Sequence, residues 1–478
     1  MTRLWLLELR ILAGDRTIHL AFVITIVLLA YGLWNGCLWH ERRQSAINLV
    51  VQAFEGEVAE MKAAVRQHEQ TAGSGKAPGI VKGLHPGGLA IGGYPAVLPL
   101  TPLSSLAVGW GDLYRSDAKV SLWNNRQDLF AESEHVGPLQ LLNGRFDVAF
   151  FTVYLMPLVL LACSYNLVSE DREHGTLALV LAQPVSSVTV FLRRLLLRAV
   201  ALIPPVIVLP VGVLAVSGAL PADVRTACAI AIWAILVSTY GLFWLALALW
   251  VNAWGRSSGA NAVVLAGIWL SIVLLVPSML AFAIDWAYPP PSRTGLIRAL
   301  RDARAASEAE APKLLDRYLS QHPELRPVEG EGASKTFVYP YFLEMWSTSQ
   351  GIAPLLDRID AAMERRLSMI AAFRCLSPSL AIEESLNVLA GTDAKRYFGF
   401  RRSVEAFHQD WHKYFAPRVF RNIPMRSADY DEFPRYVQVE KSPQELFAEV
   451  IRMSQGLFIY SVAALFCAAR FHRGRRAA

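Results

Sequence analysis

The stretch Ser169–Ser186, SEDREHGTLALVLAQPVS, decides how the chain is read. Two strongly hydrophobic runs enclose it, Phe146–Val168 before it and a run beginning near Leu195 after it. Its first part is dense in charge, with Glu170, Asp171, Arg172, Glu173 and His174 in succession. Gly175 follows and permits a sharp change of direction, because glycine has no Cβ to clash in left-handed backbone space. Thr176 can then cap a following helix by accepting a backbone N–H. Leu177, Val180 and Leu181 fall at i, i+3 and i+4 and make one apolar face. Pro184 ends that piece, and Ser186 or Ser187 can cap the next helix. The pattern reads as a short surface helix lying along a membrane, apolar on one side and flanked by acids. An ordinary interfacial helix that only packs on its own bundle has the same pattern.

The rest of the chain supplies the membrane. Of 478 residues, 54% are hydrophobic and only 18% charged, against about 25% charged in a soluble domain. Near-uncharged runs reach about 20 residues, the length that crosses a hydrocarbon core about 30 Å thick. They place six spans at residues 18–38, 146–168, 199–220, 226–252, 260–284 and 456–471. Residues 39–145 and 285–450 are long inserts. The expected fold is an all-α membrane protein: six transmembrane helices, with a mainly helical extracytoplasmic domain built from the two inserts.

Finer expectations follow along the chain. Residues 1–17 form an amphipathic interfacial helix, with Glu8, Arg10 and Arg16 among its polar positions. His40–Gln70 has a helical apolar period and continues the first span outward. Residues 71–102 are rich in Gly and Pro and read as loop, with extended pieces near Ala96–Leu100. Asp112–Leu122 fits strand and helix equally. Pro204, Pro205 and Pro210 should kink or partly break the third span. In the second insert, helices are expected at Thr294–Ser320, Leu355–Leu376, Ala381–Ala390 and Val404–Tyr414, and Arg418–Val439 is irregular. The last span extends toward its N-terminal side from Pro443. The run Ile18–Trp34 is longer than a signal-peptide core and no small-x-small site follows it, so a cleaved signal is not expected.

Arginine placement sets the orientation. Arg3, Arg10 and Arg16, then Arg193, Arg194 and Arg198, then Arg256, then Arg470, Arg473, Arg475 and Arg476 all fall on one side of six spans. The positive-inside rule makes that side the cytoplasm. Both termini, the 169–198 loop and the 472–478 tail are then cytoplasmic, the inserts lie outside, and the bilayer is the inner membrane. The net charge of +6 is accounted for by these helix ends and carries no nucleic-acid footprint.

Catalytic motifs are scarce. No GxxxxGK[ST] phosphate loop occurs; Gly73-Ser74-Gly75-Lys76 lacks the earlier glycine and the following hydroxyl residue. Neither GxSxG nor HExxH is present. The five cysteines (Cys37, Cys163, Cys228, Cys375, Cys467) form no CxxC, so no disulfide framework or cysteine zinc site is indicated. His408 and His412, four apart on a helix, could offer two imidazoles to a metal, but no third ligand is identifiable. Glu383 and Glu384 read as an acidic first helical turn. The spans hold almost no ionisable residues, which argues against proton or ion coupling within the chain. Energy for any transport must then come from another subunit.

With those observations in place, Glu170-Asp171-Arg172-Glu173-His174-Gly175-Thr176-Leu177 and Gln183-Pro184-Val185-Ser186 resemble the first cytoplasmic loop of type-2 ABC (ABC-2) exporter permeases. The N-terminal segment with Glu8, Arg10, Asp15 and Arg16 resembles that family's elbow helix. The resemblance covers the spans and cytoplasmic loops; Ala178 departs from it, where many members carry an acid, and the large inserts mark a branch with an extended outer domain. It implies a permease with no ATPase and no cofactor of its own. ATP would be bound by partner ABC ATPase subunits, and a second permease, identical or a paralogue, would complete the assembly. ATPase closure would push on Thr176–Pro184. The cargo is not supplied by the family; the uncharged spans suggest an amphipathic molecule or a peptide. Two readings from other classes stand beside this one: a membrane-anchored receptor or assembly factor working through its outer domain, and an outer metallohydrolase using His408 and His412.

Overall fold

The computed structural model describes residues 14, 16–71, 81–126, 128–130, 145–177, 179, 187–289, 292–321 and 338–474. Of the elbow positions, Glu8 and Arg10 lie outside the described residues. Val180, Leu181 and Pro184 of the acidic loop lie outside them too, as does the Gly73–Lys76 stretch.

Helix α1, Arg16–Thr71, runs for 56 residues. At 1.5 Å per residue it is about 84 Å long, of which a membrane takes roughly 30 Å. It therefore joins two bodies. Its first half buries Ile18, Ala21, Thr25, Leu29, Gly32, Leu33 and Gly36 at helical spacing, and its second half buries Val58, Met61 and Val65 in a different core. A Cβ on Gly36 would sit 1.9 Å from the Ser105 carbonyl oxygen. Only glycine lets the loop after residue 100 seat on this helix.

The Gly- and Pro-rich segment is more ordered than its composition suggests. It holds a short helix α2, Gly87–Gly92, and strand β1, Tyr94–Val97. Strand β2, Asp117–Val120, pairs antiparallel with β1, setting Tyr94 opposite Val120 and Val97 opposite Asp117. The ambiguous Asp112–Leu122 thus resolves to strand in its later half. Burial decides it: Ala118, Val120 and Leu122 face the core while Lys119 is exposed.

The second span is shorter than expected. Helix α3, Val148–Ala162, contains a π turn at Phe151–Leu155 and is about 22 Å long. Asp147 caps it, its carboxylate accepting the N–H groups of Phe150 and Val108, each at 2.7 Å. Residues 163–168 are turns, not helix. Side-chain donors take the carbonyls there: Arg198 Nε reaches Cys163 O at 2.6 Å, Arg194 Nη1 reaches Leu167 O at 3.0 Å, and Asn252 Nδ2 reaches Ser164 O at 3.2 Å. A helix end whose carbonyls find such partners has no need of a further turn.

Helix α4, Ser169–Glu173, is followed by α5, Ser187–Val216, which runs unbroken through Pro204, Pro205 and Pro210. The expected break is absent. In lipid the carbonyls that prolines deprive of partners have no water to turn to, so helix remains the best available backbone. Helix α6, Val224–Ala253, is capped by Asp223, which accepts the Thr226 N–H at 2.6 Å. It forms the centre of the bundle, with Tyr240, Trp244, Ala248 and Val251 fully buried. Helix α7, Ser258–Ala287, has a second π turn at Leu270–Leu275.

The second insert carries α8, Arg293–Gln321, α9, Val338–Phe373, α10, Pro378–Ala390, α11, Ala394–Phe420, and a single turn α12, Asp429–Glu432. Helix α13, Pro443–Gly474, closes the chain's helices. Among the described residues, five helices are long and apolar enough to cross a membrane (α1, α5, α6, α7 and α13), and α3 is a shorter apolar sixth. The architecture is an all-α membrane protein with one two-stranded sheet among the described residues.

One part of the second insert departs from its expected place. Helix α10 is buried in the membrane bundle, with Ile382, Leu386 and Leu389 in the same apolar core as Trp244 and Leu457. Arg366 of α9 donates to the Tyr288 carbonyl and pairs with Asp285 at the end of α7. Residues 373–377 lie roughly 10–16 Å further along, so the end of α9 descends beside the spans and α10 returns. Residues 285–450 thus include a re-entrant hairpin, packed into the apolar core of the spanning helices. It carries Arg374, Glu383 and Glu384 among the spans, so the bundle is not free of ionisable groups. Neither glutamate lies in the first turn of α10. Hydropathy missed this hairpin because it is short and charged; backbone of this kind at membrane depth is tolerated where protein encloses it.

On the side away from the acidic loop, the upper half of α1, the two strands, α8, α9 and α11 enclose a separate aromatic core. Phe342, Phe400, Trp411, Phe415 and Tyr430 are buried there.

Candidate functional site

The acidic loop is built from the ends of four membrane helices. Gly175 has φ +73° with open space around its Cβ position, so the dihedral and not crowding selects glycine. It stops α4 and turns the chain. The Thr176 hydroxyl is turned back, donating to the Asp171 carbonyl and carboxylate at 3.2 Å each. As donor it closes the glycine turn. Leu177 is half-buried and packs on the bundle core, whereas Leu179 is 70% exposed. In the described part of the apolar piece, Leu179 and not Leu177 faces outward.

The acids are engaged within the chain. Asp171 pairs with Arg194 of α5. Arg172 Nη1 donates to the Arg256 carbonyl at 3.1 Å. Glu173 accepts the Ser258 N–H at 2.6 Å and the Ser258 hydroxyl at 2.9 Å. That places a carboxylate on the N-terminus of α7, where the helix dipole favours negative charge. The Ser258 N–H, then its hydroxyl, hold the Glu173 carboxyl below the usual carboxylate range. Glu170 accepts Asn166 Nδ2 at 2.7 Å, within its own turn. Two of these acids, Asp171 and Glu173, fasten the loop to α5 and α7.

Beneath them lies a buried amide hub. Asn252 Oδ1, at the end of α6, accepts from the N–H groups of Val168 (3.1 Å) and Ser169 (3.4 Å), the Ser169 hydroxyl (3.4 Å) and Asn261 Nδ2 of α7 (3.3 Å). Its Nδ2 donates to the carbonyls of Ser164 and Ala248. The Ser169 and Ser258 hydroxyls meet at 2.8 Å. Asn252, Asn261, Ser164 and Ser169 are fully buried. Buried polar networks of this kind fix one arrangement of the elements they join, because each group has no solvent alternative.

Sequence reasoning missed Asn252, Ser258 and Asn261, and used Arg194 only for orientation. A signal exists: NAWGRSSGAN, Asn252–Asn261, is a polar junction between two of the most apolar runs. Its length matches a plain connector, which hides the direction of its side chains.

The re-entrant hairpin engages the same spans further along. The hydroxyls of Ser377 and Ser379 donate to the Ile272 carbonyl at 2.8 and 3.1 Å. Ile272 lies in the π turn of α7, where the widened register loosens carbonyls from their usual partners. Tyr154, in the π turn of α3, donates its hydroxyl to Glu383 at 3.4 Å. Two of the four helices that meet at the acidic loop, α3 and α7, thus also hold this hairpin.

His408 and His412 do come together, with their Nε2 atoms 3.0 Å apart. Burial pushes both pKa values down, His412 to about 3, with His408 adding to that shift. Backbone carbonyls of Ser121 and Asn124 hold the rings. Among the described residues no third His, Cys, Asp or Glu completes a metal set. The pair is packed inside the aromatic core, against Phe342.

A family model described as ABC-2 family transporter protein matches residues 7–323, well over half of the chain, and includes the whole acidic loop. A second, described as a domain of unknown function (DUF3526), matches residues 293–438, the part that holds α8 to α12 and the hairpin. No curated protein matches the chain, and no solved structure does. The chain belongs to the ABC-2 family of transporter proteins: it is a multi-pass membrane subunit of an ABC transporter, and membership implies association with an ABC ATPase subunit.

Proposed function

We propose that this chain is the permease of an ATP-driven exporter and that Ser169–Ser186 receives the mechanical input of the ATPase. The observation that carries the reading is the double anchoring of the loop, Asp171 on Arg194 of α5 and Glu173 on Ser258 of α7, above the Asn252 hub of α6. A push on the exposed side of the loop is therefore delivered to four helices at once. α3 receives it through the chain, α5 through the ion pair, α6 through the amide and α7 through the carboxylate cap.

In this reading the loop and both termini are cytoplasmic, the bilayer is the inner membrane, and the aromatic-cored domain lies outside. ATP is bound by the partner subunit, and this chain needs no cofactor. Two permeases, identical or paralogous, stand on two ATPases, and the cargo is an amphipathic molecule or a peptide. The test is copurification from native membranes followed by Glu173→Lys and Gly175→Pro. Proline cannot adopt φ +73°, so the turn must rearrange. Both variants should stay in the membrane and keep the ATPase bound, yet hydrolyse ATP without transport. Unchanged transport in both removes the loop from the mechanism.

A specific observation keeps a second reading in view. The domain opposite the loop has its own core of Phe400, Trp411 and Phe415, as a receptor or assembly factor would need. Replacing residues 169–186 with a neutral linker separates the two, since only a receptor keeps its function.

A further inference from the structure

On the side opposite the acidic loop, three chain segments that leave the membrane bundle meet around one cavity of about 470 Å³. They are the α5–α6 connection with Asp223 and Arg225, the end of α10 with Val388 and Leu389, and the start of α13 with Lys441 and Leu446. Its size lies in the ~300–1,000 Å³ range of small-molecule sites. One wall is apolar, made of Leu100, Leu103, Ala229, Leu389 and Leu446. The rest is charged, and the charges are unequally available.

Each acid at this cavity is already committed. Asp223 caps α6 through the Thr226 N–H, and Asp393 caps α11 through the Arg396 N–H at 3.0 Å. Glu440 pairs with Arg396. Glu449 takes both Lys395 and Lys441, and in those pairs the cation is the outward partner: Lys395 is 70% and Lys441 39% exposed, against 11% for the glutamate. Arg225, near Asp223, makes no hydrogen bond or ion pair among the described residues. Lys395 and Lys441 thus turn outward while sharing the Glu449 carboxylate behind the lining, and Arg225 stands beside Asp223 at the same opening.

A second hollow lies beside this cavity. Pro99 and Gln438 line both, and the second, of about 520 Å³, runs past Phe54, Tyr94 and Phe433 on the distal domain. A ligand with an acidic head and an apolar chain matches this order of surfaces, cations at the mouth and aliphatic side chains at the membrane end.

We propose that this cavity binds an amphiphile with an acidic headgroup, head against Arg225, Lys395 and Lys441 and chain against Leu103, Leu389 and Leu446. The proposal rests on the permease reading for its place in transport, but the binding itself does not need the ATPase. It narrows the cargo, or a lipid that occupies the exit, to one chemical class.

The structure supplies a clean block. Gly399 of α11 lines the cavity, and a Cβ there meets nothing within 4 Å. Gly399→Trp should fill the space without a clash, and Gly399→Ala is its control. The full chain in phosphatidylcholine nanodiscs is irradiated with trace dodecyl phosphate carrying a diazirine in its chain. Labelled peptides are then mapped. Labelling is expected in residues 99–103 and 388–403, and unlabelled dodecyl phosphate should compete it away. Gly399→Trp should lower it about tenfold, and Arg225→Glu with Lys395→Glu about a hundredfold, since each lost charge-assisted contact is worth about tenfold or more. Gly399→Ala should leave it unchanged. Labelling that survives both variants, or that dodecyltrimethylammonium competes equally well, overturns the proposal. Competition by inorganic phosphate alone overturns the amphiphile in favour of a free-anion site. No ATPase is present, so failure here leaves the acidic-loop reading standing, and failure of that reading leaves this site standing.

Discussion

Asn252→Ala is the most informative single change to the amide hub. It removes the oxygen that accepts the Val168 and Ser169 N–H groups, at 3.1 and 3.4 Å. Ser169 opens α4, so its N–H has no earlier carbonyl of the same helix to turn to. An unsatisfied buried donor costs about 1–3 kcal/mol, which gives roughly 2–6 kcal/mol for the pair. Two effects favour the low end. The small space left by alanine can admit water, and side-chain hydrogen bonds in membrane proteins average only about 0.6 kcal/mol. About 2 kcal/mol is the working figure, or roughly a 30-fold rise in loop opening. Hydrogen–deuterium exchange of the full chain in nanodiscs reads this directly at residues 164–175, because protection tracks the free energy of local opening. Asn252→Asp is the comparison: it keeps the acceptor but loses the donor to the Ser164 and Ala248 carbonyls, and should retain only part of the protection. Wild-type exchange in Asn252→Ala, or equal loss in both variants, refutes the hub as the element that holds the loop.

Other consequences can be checked together. Arg194→Asp should loosen the loop, and adding Asp171→Arg should restore part of its protection, because the Asp171–Arg194 pair is largely buried; a double variant no better than the single removes that pair from the anchoring. The Glu173 carboxyl is held below its usual range, so its link to Ser258 contributes above the ordinary glutamate value and is lost as pH falls through the lowered one. Exchange at residues 170–177 should therefore rise on strong acidification, and Glu173→Gln should blunt that rise. His412 has the opposite chemistry and the same outcome. Its folded pKa of about 3 lies below the ordinary 6.5, so the unfolded chain binds the extra proton between those values. The distal domain should lose about 1.4 kcal/mol per pH unit across that window, and the slope of its thermal midpoint should flatten in His412→Leu. Tyr154→Phe removes the donor to Glu383 and should raise exchange in residues 377–390 while leaving residues 164–175 as they are.

Much of the fold could be read from the chain, for identifiable reasons. Uncharged runs of span length mark a membrane crossing wherever they occur, and α5, α6 and α7 follow them closely. The outward continuation of α1 follows from the period of Val50, Phe54, Val58, Met61 and Val65. The re-entrant hairpin has no such mark: α10 is 13 residues long and carries two glutamates, so hydropathy places it with the soluble helices. The glycine turn was legible because Gly175 has one conformational advantage and uses it. The direction of the acids was not, since Glu173 reaches Ser258 and Asp171 reaches Arg194 only after four helices have assembled. A carboxylate in a loop has the same sequence signature whether it faces a partner or another part of its own chain.

In the permease reading, the exposed side of this loop meets the ATPase. A photoreactive amino acid at Leu179, the exposed residue beside the glycine turn, tests it most directly in native membranes. A covalent adduct between this chain and the copurifying ATPase is expected from Leu179, with a yield that changes when ATP is added. None is expected from Leu49, which is equally exposed but lies on the far half of α1. An ATPase that copurifies yet forms no adduct at Leu179 contradicts that reading.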